Sequence, residues 1–343
     1  TGAELLSLSG HTDGVNHAVW NTDESRILTA SDDKTVRVWD AETAAELLTL
    51  SGHTRPVRYA EWDKDESRIL TAGDDGMPRV WDASTGTELL VLFGHVRAVH
   101  QAVWNGDESR ILTASSDGTA RVWNAETGAR LLTLSGHTDA LRQASWNGDE
   151  SRILTASADG TAQVWDAETG IELVFLVGHD DRINQAVWSV DGGRILTASA
   201  DGTARLWDAH TGAELLALSG HAGEVVWAAW NADESRILTI SMDGTMQVWD
   251  ATGAELPTLS GHAGVVWDIA FSPDGTRLAT VGFDNTTRLW DASTGQELLI
   301  LTGNELNTAG VAFSSNGTRL AVSGGDGTVR IYVLPVEDLM ALA

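Results

Sequence analysis

The sequence predicts an all-β protein: a single closed ring of eight four-stranded antiparallel sheets, its N-terminal strand completing the last sheet. Three observations predict it. A Gly-His pair recurs at Gly10-His11, Gly52-His53, Gly94-His95, Gly136-His137, Gly178-His179, Gly220-His221 and Gly261-His262, and Gly303-Asn304 stands in the eighth place. The spacing is 42 residues, shortened once to 41 at DATGAE (250–255). A Trp-Asp pair or near variant follows in each unit, at Trp39-Asp40, Trp81-Asp82, Trp123-Asn124, Trp165-Asp166, Trp207-Asp208, Trp249-Asp250 and Trp290-Asp291, with Ile331-Tyr332 last. No segment keeps a helical apolar period for three turns, whereas each unit holds four short runs rich in β-formers.

In the first full unit these runs are VNHAVW, RILTAS, TVRVWD and ELLTL, separated by NTDES, DDK and AETAA, which have turn composition. The stretch DESRILTAS is written identically at 23–31, 107–115 and 149–157. The fourth run occurs first at 4–8, ahead of every other strand, and the last Trp-Asp-type run, TVRIYV (328–333), has no fourth run behind it. Residues 4–8 are therefore expected to cross over and complete unit eight, which closes the ring and leaves no unpaired inner edge. Seven units with one spare repeat is the competing count. Fifteen tryptophans against two tyrosines follow from the repetition: seven belong to the Trp-Asp pairs and six close the first run, from Trp20 to Trp230. After Pro335 the strand pattern stops, and Val336, Leu339, Met340 and Leu342 have helical spacing. The expected division is a ring over 1–334 and a tail over 335–343 that starts a helix. The chain opens TGAELL inside a motif, as a piece of a longer protein would.

Composition narrows the function. With 343 residues, 42% of them hydrophobic, the chain can bury a large core. A net charge of −27 opposes a phosphate backbone, so no nucleic-acid partner is expected. No apolar run approaches the roughly 18 residues of a membrane span, no apolar leader opens the chain, and no membrane partner is expected. The absence of cysteine excludes disulfides, thiolate catalysis and thiolate metal sites, and fits a reducing, cytoplasmic setting.

Four strands per ~42 residues with Gly-His and Trp-Asp signatures resemble the WD-repeat β-propeller family, over residues 1 to about 334. The resemblance implies a hydrogen-bonded chain of His, Ser or Thr, Asp and Trp within a blade. Carried onto this sequence it implies His11, Ser31, Asp33, Trp39; His95, Ser115, Asp117, Trp123; His137, Ser157, Asp159, Trp165; His179, Ser199, Asp201, Trp207; and His221, Ser241, Asp243, Trp249. A buried indole N–H or imidazole without a partner costs about 1–3 kcal/mol, which is the physical reason for such a chain. Blades two and seven have Gly73 and Gly282 at the serine place. Blade eight keeps Asp326 but has Asn304, Gly324 and Tyr332, and is expected to be least stable.

These residues invite comparison with a Ser-His-Asp triad, but an active site needs one asymmetric constellation, not five copies. One histidine per blade cannot share a metal ion. SGGDGTV (323–329) lacks the Lys-Ser/Thr of a phosphate-cradling loop. No catalytic residue, metal or cofactor is expected, and the chain is read as a non-enzyme.

The variable part of each unit is the loop and first strand after Gly-His. Strand alternation puts this loop and the SDD-type turn on one face, the top, and the DES and DAETG turns on the bottom. In the resembled family, ligands most often contact the top face near the channel. The matching positions divide into two zones: Arg58, His100, Arg142 and Arg182 over blades two to five, with Arg55 and Arg97 nearby, and Val226, Met242, Val265, Trp267 and Phe283 over blades six and seven. Arginines beside an aromatic and aliphatic patch have the composition of a recognition surface. The expected ligand is a protein or peptide with an acidic segment and an apolar anchor. Against this, repeats drift, and Asp139, Asp180 and Asp181 dilute the positive arc. The bottom is acidic, which suits a solvated surface or docking to a basic partner. The chain also resembles the highly regular WD-repeat arrays found in bacteria behind signalling modules, which implies a sensor or docking role, or an assembly role through the bottom face and outer edges.

Overall fold

The computed structural model describes residues 2–231, 233–256, 261–292, 294–302 and 308–334; the side chains of Trp267, Thr308 and Ala309 are outside that description. The tail at 335–343 and Asn304 lie outside it as well.

Eight antiparallel sheets form a ring of blades. Blade one contains Val15–Trp20, Arg26–Ser31, Thr35–Asp40 and Glu46–Ser51, in that order from the channel outward. The pattern repeats around the ring. Blade six shows three described strands, and its fourth position begins where Glu255 bridges Trp249 and the Leu256 N–H donates to Val248 O at 2.7 Å. Blade eight is completed by the N-terminal strand Ala3–Ser9, which pairs antiparallel with Thr328–Val333. The count of eight and the crossover expected from residues 4–8 are both seen.

What closes the ring is burial between blades. Eight apolar clusters exist, one for each neighbouring pair, including blades eight and one through Leu8, Val15, Ile27, Trp39, Val329 and Ile331. The third-strand tryptophan of blades one to seven lies against the blade before it, as Trp81 does with Leu28, Val36 and Leu50 of blade one, and Tyr332 does the same in blade eight. Burying one such indole is worth about 4–6 kcal/mol by area, an upper bound.

The bottom DES turns add a second kind of tie. Glu24, Glu66, Glu108, Glu150 and Glu234 all have positive φ, between 55° and 61°. That left-handed conformation costs a non-glycine residue about 1 kcal/mol. The carboxylate offsets the cost by reaching the preceding blade. Glu66 accepts from Asn21 Nδ2 (2.8 Å), the Thr22 N–H (2.7 Å) and Arg26 Nη2 (2.8 Å). Glu150 accepts from Asn105 Nδ2 and the Gly106 N–H, and Glu234 from the Val190 N–H and Arg194. Glu24 makes the same tie across the seam, to Ser315, Asn316 and Arg319 of blade eight. Above these ties the arginine sits over the next blade's first-strand aromatic: Arg26 is 4.7 Å from the Trp62 ring and Arg319 4.7 Å from Trp20. The expectation of a merely solvated acidic bottom therefore holds only for part of it. Five of its glutamates are inter-blade ties.

The buried hydrogen-bond chain differs from the expected one in a single member. In blade one the hydroxyl between indole and imidazole belongs to Thr29. Trp39 Nε1–H donates to Thr29 Oγ1 (2.8 Å), which lies 2.7 Å from His11 Nε2, while His11 Nδ1 is 2.8 Å from Asp33. A carboxylate only accepts, so Nδ1 carries the proton and the threonine hydroxyl donates to Nε2. Ser31 stands outside this relay. Its hydroxyl accepts from the Asp33 N–H and donates to Asp13 O, bracing the top turn. The same correction applies to Ser115, Ser157, Ser199 and Ser241, whose places in the relay are taken by Thr113, Thr155, Thr197 and Thr239. The reason is register: Trp39 pairs with Ile27, so Thr29 is one same-face step from it, within reach of the indole, and Ser31 is two steps away. Gly73 and Gly282 therefore break nothing, and blades two and seven have complete relays, His53–Thr71–Trp81 with Asp75 and His262–Thr280–Trp290 with Asp284. In blade eight Val322 replaces the threonine, Asp326 pairs with Arg330 instead, and the buried Tyr332 hydroxyl has no partner among the described residues.

Candidate functional site

Each relay anchors a top loop. Asp33 accepts from the Thr12 N–H as well as from His11, so the Gly-His loop is clamped to the turn after the second strand. Burial opposes the charge of Asp33, but hydrogen bonds from Thr35 and His11 outweigh it and hold the carboxyl at about 2. Burial lowers His11 below its usual range, consistent with a neutral ring.

A second device aims the variable residue. In all eight blades the register shifts after the first residue of the first strand, as between Val57 and Tyr59 or Leu141 and Gln143. The residue skipped by the bulge is Asn16, Arg58, His100, Arg142, Asn184, Val226, Trp267 or Ala309. A bulge leaves its extra residue unpaired and re-aims it. Of the positions picked out in the sequence, Arg58, His100, Arg142, Val226 and Trp267 are ones the bulge sets apart on the inner strand, whereas Arg182, Met242 and Phe283 are not.

Their side chains do not form a uniform positive arc. Arg58 is held between Asp32 (2.9 Å) and Asp74 (2.6 Å), and Asp74 is the main reason its pKa is raised. Arg182 is fixed on Glu224 at 2.7 Å, where Asn184 also donates. These two are tied down by counterions, and they close the top between blades one and two and between blades five and six. Asp32, Asp74 and Glu224 stand at the neighbouring variable positions in the sequence, but their pairing is set by the distance between adjacent blades.

Three arginines remain. Arg55, Arg97 and Arg142 are exposed and make no ion pair among the described residues. Arg55 and Arg97 line a depression of about 730 Å³ between blades two and three, together with Arg58, Asp74, Asp75, Val96, His100 and Ser116. His100 Nε2 lies 2.6 Å from Ser116 Oγ at its floor. Burial, and then the nearby Arg142, lower the His100 pKa and favour the neutral ring.

In the apolar zone Met242 and Phe283 are exposed at 38% and 44%, on the top turns of blades six and seven. Val226 is half-buried and packs on the core between those blades. The Trp267 side chain is outside the described residues. Among the described residues no three His, Asp or Glu side chains are grouped to hold a metal ion, and no helix is long and apolar enough to cross a membrane.

Comparison with known proteins gives consistent findings. The family model described as the IFT122 first beta-propeller matches residues 56–332, and the model for the WD domain, G-beta repeat, matches residues 2–40. The serine-threonine kinase receptor-associated proteins of Gallus gallus and Mus musculus are each 54% identical over 41 residues, 12% of this chain. The match covers only 11% of those relatives' own length. Among solved structures, the computationally designed Ika8 protein superposes with a TM-score of 0.86 at 28% identity, covering 96% of this chain and 99% of that one.

Proposed function

The chain belongs to the WD-repeat β-propeller family, and from that premise we propose that it is a non-catalytic protein-interaction platform that binds its partner on the top face. The observation that carries the reading is the pair Arg55 and Arg97, which make no ion pair among the described residues, at a depression whose lining also includes His100, Asp74 and Asp75, with Arg142 close enough to act on His100, on a protein whose net charge is −27. Exposed, uncompensated cations on so acidic a molecule favour an acidic segment of a protein or peptide. The exposed Met242 and Phe283 supply the surface for an apolar anchor. Arg58 and Arg182 act as frame rather than as ligand contacts.

Assembly within a larger signalling protein, of the kind the bacterial arrays suggest, is the second reading. It is favoured by the outer strand of blade four, which exposes Ile171, Leu173, Phe175 and Val177 on one side where blade one has Ala45, Leu47, Thr49 and Ser51. Capture from the source lysate, read by mass spectrometry, separates the two. The baits are wild type, Arg55→Glu/Arg97→Glu/Arg142→Glu and Leu173→Ser/Phe175→Ser, each checked for folding. A partner lost only with the arginine variant supports top-face recognition. A partner kept by that variant and lost with the blade-four variant overturns it in favour of assembly.

A further inference from the structure

Five of the eight bottom turns carry the glutamate tie, and the other three carry Gly192, Gly275 and Gly317 at the same place, also with positive φ. What the preceding blade offers to that place differs among the three. Blade seven presents Ser272, and Arg277 donates to Gly317 O at 2.9 Å. Blade four instead keeps the residues of two tied interfaces: Asn147, Gly148 and Arg152 stand where Asn21, Thr22 and Arg26 all donate to Glu66, and where Asn105 and Gly106 donate to Glu150 while Arg110 turns to Ala167 O.

Two of these donors are held in place. Asn147 is 9% exposed, its Oδ1 accepts from the Arg152 N–H, and its Nδ2 donates to Asp149 at 2.8 Å. In the tied blades the equivalent Nδ2 makes that bond and a second one to the glutamate. Here Nδ2 has, besides Asp149, only a long contact to Ser151 Oγ at 3.5 Å, and it faces the place of the absent side chain, where a Cβ on Gly192 would lie 3.8 Å away. The Gly148 N–H has no acceptor among the described residues. Arg152 donates to Ala209 O at 3.3 Å, as Arg110 donates to Ala167 O beside Glu150, and makes no ion pair among the described residues, so it would have to turn, as Arg26 does under Glu66, to reach a carboxylate. Between them is a cleft of about 400 Å³, with Val190 and His210 on its walls.

We propose that this cleft between blades four and five is a carboxylate-binding site, in which a carboxylate supplied from outside the chain takes the position that Glu66 and Glu150 hold from within it. The flanking Asp149 and Asp191 do not forbid an anion. Asp149 accepts from Asn147, the Ser151 N–H and its hydroxyl, and Asp191 accepts from Ser189 and the Gly193 N–H. Asp23 accepts from Asn21 in the same way, right beside the Glu66 tie. There the side-chain and backbone donors, against the cost of burial, still hold Glu66 below the usual carboxylate range. The donor set, one amide, one backbone N–H and one guanidinium, suits a single carboxylate head on a slender stem. Blades six and seven repeat the pairing as Asn231 and Gly275, with a cleft of about 440 Å³, but residue 232, whose N–H would complete it, is outside the described residues.

The carboxylate has two sources, a glutamate side chain of a partner protein or a small dicarboxylate. Both are tested with ¹⁵N-glycine-labelled full chain, following the Gly148 amide by NMR. The ligands are glutarate and the capped peptide acetyl-Gly-Glu-Gly-amide, at ionic strength matched with sodium chloride. We expect the Gly148 signal to move saturably with either ligand and to stay put with salt alone. Stronger binding of the peptide assigns the site to a partner protein, and stronger binding of glutarate assigns it to a small molecule. Gly192→Glu, whose backbone conformation five glutamates already adopt, is expected to shift Gly148 before any ligand is added and to weaken both titrations at least about tenfold. Arg152→Gln, which leaves Asn147 and Gly148 in place, is expected to weaken them without the prior shift. A wild-type Gly148 signal that ignores both ligands, or an Arg152→Gln protein that binds as wild type while Gly192→Glu still titrates, overturns the proposal.

Discussion

Replacing Thr113 by valine in blade three tests the hydrogen-bond relay directly. The two side chains have nearly the same shape, so packing is kept and only the hydroxyl is lost. That hydroxyl accepts from Trp123 Nε1 at 2.9 Å and lies 2.8 Å from His95 Nε2. Both groups are buried, and each left without a partner costs about 1–3 kcal/mol, so the substitution is expected to destabilise by roughly 2–5 kcal/mol. Ser115→Ala is the control. It removes an acceptor for the Asp117 N–H and a donor to Ala98 O, worth about 1 kcal/mol together with partial replacement by water. Blade two shows the limit of that change, since Gly73 stands there beside a complete relay. Urea unfolding by circular dichroism compares the midpoints, with slopes checked for a common transition. Hydrogen exchange at the Trp123 indole reads the site itself and should accelerate in the valine variant alone. A Ser115→Ala loss equal to or larger than that of Thr113→Val would refute the assignment.

Two further outcomes follow from titration. Burial lowers the pKa of His11, His95, His137, His179, His221 and His262, so the unfolded chain binds more protons than the folded one below about pH 6.5. Their contribution is fully present above that pH and is lost as pH falls, so the thermal midpoint should drop between pH 7 and 5.5 with net proton uptake on unfolding, and a flat profile would contradict the neutral-ring relay. Asp268 has the opposite sign: burial raises it to about 6 while it accepts the Val311 N–H of blade eight, so its charge costs up to about 3 kcal/mol above pH 6. Asp268→Asn keeps an acceptor and removes that charge, and should raise the urea midpoint at pH 8 and lose the gain near pH 4; an unchanged midpoint at pH 8 sinks the reading.

The blade count and the closure of the ring were legible in the sequence because both are properties of its period. A Gly-His pair every 42 residues numbers the units, and a fourth-type strand at 4–8 with none after 333 leaves one way to close. The positions that vary on the top were legible too, since a residue that a bulge sets apart is free to differ from blade to blade. The hydroxyl of the relay was misread by two residues. Thr29 and Ser31 share a chemistry and a face, and only the pairing of Ile27 with Trp39 decides which is near enough to reach the indole. A signal existed: threonine stands at its place in seven units, whereas the serine place is glycine in units two and seven.

What sequence alone determined, then, is most of what repeats within one unit, though not the relay hydroxyl: strand lengths, turn chemistry, the order of the blade and the number of blades. What only the tertiary structure decided is everything that passes between units. Whether Arg58 is a ligand contact or a frame depends on Asp32 in one blade and Asp74 in its own, and whether Glu66 is a solvated charge or a tie depends on Asn21, Thr22 and Arg26 of its neighbour. Those partners are 16 to 45 residues away along the chain and less than 3 Å away in space. The physical reason is that charge is a property of a residue, whereas the free energy of a charge belongs to its surroundings. In a ring, half of those surroundings come from the next repeat, and that is why the bottom donors of blade four, facing Gly192 where other blades face glutamate, become visible only once the blades are set side by side.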